Sequence, residues 1–86
     1  MTVWKFPLPM TNVAEVSMPT GARILYVGIQ AGEPFLWAAV DPNAEAERRR
    51  VRVAGTGHGL GDVGAYIGSF MMAGGALVFH VFEMPR

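Results

Sequence analysis

Arg48-Arg49-Arg50-Val51-Arg52-Val53-Ala54 runs directly into Gly55-Thr56-Gly57-His58-Gly59-Leu60-Gly61. The first half has a period of two. Arg48, Arg50 and Arg52 point one way and Val51 and Val53 the other, which is the pattern of a strand with one face on a core. The second half places four glycines in seven residues. Glycine loses the most backbone entropy on ordering, so this density signals a sharp change of direction or a close approach to the backbone. A β-strand leading into a glycine loop sets the frame for reading the rest.

Working outward, alternating segments recur on both sides. Thr2 to Leu8 carries Val3, Trp4 and Phe6 but is limited by Pro7 and Pro9, which suits an edge strand or one that ends early. Val13 to Met18 and Ala22 to Gln30 follow. In the latter, Leu25, Val27 and Ile29 are expected on one face and Ile24, Tyr26 and Gln30 on the other. Ala31-Gly32-Glu33-Pro34 supplies a hairpin connection to Phe35–Val40, with Phe35 and Trp37 opposite Leu36 and Val40. Ala44 to Glu47 allows at most one helical turn. After the glycine loop come Tyr66 to Met72, a hairpin at Ala73-Gly74-Gly75, and Ala76 to Met84. About seven short strands, with turns roughly every 8–12 residues, predict an all-β fold: a small antiparallel sandwich or partly open barrel.

The 86 residues make a single domain, residues 1–86. Its core is marginal at this size. There is no cysteine for disulfides, and two histidines without cysteine do not make a structural zinc site, so no metal and no cofactor is expected. Hydrophobic residues are 51% and charged ones 16%. That is too little charge to coat a small monomer, and a homo-oligomer with an apolar interface is predicted. Net charge is zero, which argues against bulk nucleic-acid binding. No apolar run is long enough for a membrane helix, and the start lacks the order of a signal peptide, so a cytoplasmic protein is expected.

Candidate site residues fall in two groups. Arg48, Arg50 and Arg52, spaced about 6.8 Å apart on one strand face, can pair with phosphates, or can be a solvated or edge-protecting face. Gly55, Thr56, Gly57 and His58 can form an anion-binding nest with added side-chain donors, or a plain wide turn. The glycine spacing matches neither a phosphate-binding P-loop nor a dinucleotide fingerprint. His80, between Val78 and Phe82, reads as a core histidine. Most aromatics belong to core or interface, with Trp4 and Trp37 as candidates for stacking on a base.

Trp4-Lys5-Phe6-Pro7-Leu8, Leu36-Trp37-Ala38, Gly55-Thr56-Gly57-His58, Tyr66-Ile67-Gly68-Ser69-Phe70 and Leu77-Val78-Phe79-His80-Val81-Phe82-Glu83 together resemble a family of short phage and bacterial proteins that carries a domain-of-unknown-function label. Ser69 stands where family members are expected to have threonine. The resemblance implies no catalytic residues. It implies a phage-associated accessory protein, by analogy with small oligomers that sequester nucleotide messengers of bacterial immunity. The expectation is therefore a non-enzymatic, homo-oligomeric binder of a small phosphate-bearing nucleotide, acting in the host cytoplasm. The alternatives are a protein-interaction module and a small hydrolase or lyase acting on the same ligands with His58.

Overall fold

A computed structural model describes residues 1–85. Seven strands form: β1 (Thr2–Pro7), β2 (Val13–Pro19), β3 (Arg23–Gln30), β4 (Glu33–Val40), β5 (Ala46–Gly55), β6 (Tyr66–Met72) and β7 (Leu77–Glu83). They make two antiparallel sheets, in the orders β1-β4-β3 and β2-β5-β7-β6. The fold is all-β, as the alternating patterns require. The proline-flanked β1 lies at a sheet edge, where an absent amide donor costs no ladder bond.

The core lies between the sheets. β4 contributes Leu36, Ala38 and Val40; β5 contributes Val51 and Val53; β2 contributes Ala14, Val16 and Met18; Leu8, Ala22, Val27, Phe70 and Val81 complete it. Among the described residues no polar or charged residue is fully buried. The edge strands β3 and β6 meet along one side and partly close the sandwich. Gly68 makes that seam possible, since a Cβ there would stand 2.9 Å from Val27 Cγ1.

Three local readings are corrected. A register shift between Ile24 and Tyr26 reverses the expected alternation in β3. Ile24 packs on the core, and Leu25 is 43% exposed. A bulge places an extra residue in one strand and so changes the face of those beyond it. The β3–β4 turn is shorter than expected. Ala31 and Gly32 take φ of 50° and 80°, so Glu33 and Pro34 already belong to β4. Pro34 is tolerated because β1 has ended there, at the Pro7–Phe35 pair. β5 begins at Ala46, two residues before the Arg48 start expected, held opposite Pro19 of β2, and the single helical turn allowed at Ala44–Glu47 does not form.

The β6–β7 hairpin turns through a short 3-10 segment, Ala73–Gly75, with positive φ at all three residues. No helix is long and apolar enough to cross a membrane.

A glycine loop folded onto the outer sheet face

Register defines what the four-stranded sheet turns outward. Arg52 pairs with Phe82, and Ala54 with His80, across β5 and β7. Ser69 pairs with His80 across β6 and β7. Directly paired residues share a face, so Arg48, Arg50, Arg52, Ala54, His80, Phe82 and Ser69 look away from the core. Yet Ala54 is only 1% exposed. The Gly55–Gly61 loop folds back and covers it.

Arg52 holds the loop down. Its guanidinium donates to the carbonyl oxygens of Gly59 (2.7 Å) and Leu60 (3.3 Å), and also to those of Asn12 (3.0 Å) and Val53 (2.6 Å). The consequence follows from peptide planarity. C=O and N–H of one trans peptide unit point in opposite directions. With the Gly59 and Leu60 carbonyls turned toward Arg52, the amides of Leu60 and Gly61 are turned away from it. Neither amide finds an acceptor among the described residues. Two successive outward amides are the elements of an anion-binding nest.

The first half of the loop is a tight turn. The His58 amide donates to the Gly55 carbonyl at 3.0 Å, and Gly57 supplies the φ of +90° that a side chain would strain. The Thr56 amide donates to the Val78 carbonyl at 3.2 Å and ties this turn to β7. The His58 ring leans over Gly55, where a Cβ would stand 3.1 Å from Cε1.

His80 is not the core residue that the apolar neighbours Val78 and Phe82 suggest. It is half-buried on the outer face, and both ring nitrogens meet hydroxyls. Nε2 lies 2.8 Å from Thr56 Oγ1, and Nδ1 lies 2.8 Å from Ser69 Oγ. Ser69 in turn lies 2.7 Å from the Tyr66 hydroxyl. The chain Tyr66–Ser69–His80–Thr56 therefore links the edge strand β6 to the loop. No carboxylate is hydrogen-bonded to either histidine among the described residues.

Loop and sheet border an open slot of about 210 Å³, lined by Ala54, Gly55, Thr56, Gly57, His58, Leu60, His80 and Phe82. On the hairpin side of the same turn, a second hollow of about 200 Å³ is walled by Thr56, His58, Leu77 and Phe79 among others.

The other sequence-predicted residues divide around this site. Arg48 is highly exposed and lies 3.6 Å from Glu15. Arg50 is also exposed. Both line a groove of about 320 Å³ at the start of β5, with Glu83, Met84 and Pro85. Gly55 is about 23 Å beyond Arg48 and about 17 Å beyond Arg50 along the strand at the usual rise per residue. The three arginines therefore do not converge on His58 within one chain. Only Arg52 reaches the loop, and its donors are engaged by backbone carbonyls. Arg49, which the alternation places with the valines, turns inward and bonds to Glu83 and the Ala22 carbonyl. Trp37 lies on the outer face of the other sheet, 5.6 Å from Tyr26 and 6.1 Å from Phe35 between ring centroids. Trp4 lies on the edge strand β1 beside Phe6. Neither tryptophan shares a sheet with the loop.

His80, Ser69, Tyr66 and Phe82 were missed as site residues. The signal was the β6–β7 register: once a turn is centred on Ala73–Gly75, Ser69 falls opposite His80.

Fold and site together define a small antiparallel β-sandwich with an open slot bordered by a glycine loop. The chain belongs to the family described as a domain of unknown function, DUF7352, whose profile matches residues 1–86. No curated protein and no solved structure matches it.

Proposed function

We propose that this protein is a non-catalytic, phage-type accessory factor that binds and sequesters a phosphate-bearing nucleotide signal of host immunity in the cytoplasm, as a homo-oligomer. The observation that carries the binding reading is the Arg52 clamp, which turns the Leu60 and Gly61 amides outward on the face that also bears Arg50 and Arg48. Two successive outward amides suit an oxyanion, and Arg50 and Arg48 add positive charge further along the same face. The phage and immunity setting rests on the family resemblance alone. Calorimetry against cyclic dinucleotides and cyclic ADP-ribose isomers tests the reading: heat from at least one, with the ligand recovered intact after denaturation, is expected. Absence of heat from all of them overturns it.

One observation favours a second reading, a protein-interaction module. Met71 to Val78 contains no polar side chain, and Met71 and Leu77 at the hairpin tip are 64% and 51% exposed. A stoichiometric protein captured by the wild type and lost with Met71→Asp/Leu77→Asp supports that reading.

A further inference from the structure

The slot beneath the loop differs chemically from the loop's rim. Its lining includes the small side chain of Ala54, next to the bare backbone of Gly55. Its walls are ring systems: His58 leaning over Gly55, and His80 and Phe82 side by side on β7. Phe82 is itself braced by Tyr66, with ring centroids 5.3 Å apart. Several polar atoms nearest the slot are satisfied, although the His58 ring nitrogens and the Gly57 amide find no partner among the described residues. Both His80 nitrogens are bonded, and the Thr56 and His58 amides donate to Val78 and Gly55. The slot thus presents mostly carbon surfaces and ring faces, while the two successive outward amides belong to Leu60, which lines it, and to Gly61, which lies beyond its lining.

From this separation we infer that the slot is a subsite for a flat heterocyclic ring, stacked by His58 and Phe82, with the attached phosphate at the Leu60–Gly61 amides. Base–aromatic stacking tolerates different bases because each has a π-face, so the subsite selects a planar ring attached to a phosphate over the phosphate alone. It also replaces the tryptophans as the stacking surface: Trp4 and Trp37 lie on the other sheet, whereas His58 and Phe82 border the loop. The inference rests on the phosphate-binding reading of the loop.

The test compares adenosine and uridine 5′-monophosphate with ribose 5-phosphate, by calorimetry and by the imidazole NMR signals of His58 and His80. At least one nucleotide is expected to bind about tenfold or more tightly than ribose 5-phosphate, in line with one stacked base. His58→Ala should abolish that advantage and leave ribose 5-phosphate binding within about twofold, since phosphate sits elsewhere. His58→Phe, which keeps a ring and removes the nitrogens, should restore it. Phe82→Leu keeps apolar bulk and should lose the advantage while the fold persists by circular dichroism. Equal affinity for nucleotide and ribose 5-phosphate overturns the ring subsite and leaves the phosphate reading standing, as does an unchanged advantage in His58→Ala. Binding of neither overturns both.

Discussion

The Arg52 guanidinium stands 2.7 Å from the Gly59 carbonyl oxygen, so the arginine that reaches the glycine loop does so as a clamp on its backbone. Its donors also engage Leu60, Asn12 and Val53. Arg52→Ala should release the loop. Hydrogen bonds from a charged donor contribute modestly where water competes, so the expected loss is about 1–2 kcal/mol. Arg52→Lys should recover little, because an ammonium cannot span carbonyls on both sides of β5 as a planar fork does. Hydrogen exchange should rise across residues 56–62 while β5 and β7 stay protected. Unchanged exchange there would remove the clamp.

The arginines on either side behave differently by the same logic. Arg49 has a side chain only 11% exposed and bonds to Glu83 and to the Ala22 carbonyl, so it ties β5 to the chain's last strand and to the β2–β3 turn. Arg49→Ala leaves Glu83 half-buried without its partner and should cost about 2–4 kcal/mol. Arg48 is 82% exposed, and its 3.6 Å contact with Glu15 lies in solvent. Arg48→Ala should stay within about 0.5 kcal/mol. Urea denaturation of both variants measures the contrast, and equal losses would contradict the assignment of inward and outward arginines.

These cases show where the sequence was informative. The alternation Arg48–Val53 was legible because one face meets an apolar core, and the two-sheet fold followed from the repeated pattern. Bulges were not legible. A register shift at Leu25 depends on how β3 pairs with β4, and no residue in Arg23–Gln30 announces it. The site was half legible for a similar reason. Thr56 and His58 stood out by position in a glycine loop. His80 and Phe82 sit in an apolar run whose outward face becomes distinguishable only once β5 and β6 flank it. Arg52's role required knowing that the loop folds back rather than extending away.

Gly68 offers a test of the seam between the sheets. A Cβ there would approach Val27 Cγ1 to 2.9 Å, and valine's stiff χ1 gives it little room to yield. Gly68→Ala should cost about 1–3 kcal/mol by overpacking. Gly59, with no atom within 4 Å of its Cβ position and no positive φ, makes the control: Gly59→Ala should stay within about 0.5 kcal/mol. Thermal melts of the two variants decide it. A neutral Gly68→Ala would mean that β3 and β6 are not held as closely as the structure places them.

The proposed oligomer makes the most direct demand on the molecule's surface. From Met71 to Val78 the hairpin carries no polar side chain, and its exposed Leu77 borders the hollow that His58 also lines. An apolar tip of this kind is poorly suited to water on all sides. If subunits join through it, the wild type should scatter light as a multiple of its 9.3 kDa chain mass. Met71→Asp/Leu77→Asp should then run as a monomer with an unchanged β-sheet spectrum, because both side chains point into solvent within one chain. A wild-type monomer at micromolar concentration ends the oligomer proposal. A double variant that remains oligomeric moves the interface elsewhere, and the exposed Tyr26 beside Trp37 on the three-stranded sheet becomes the next surface to charge.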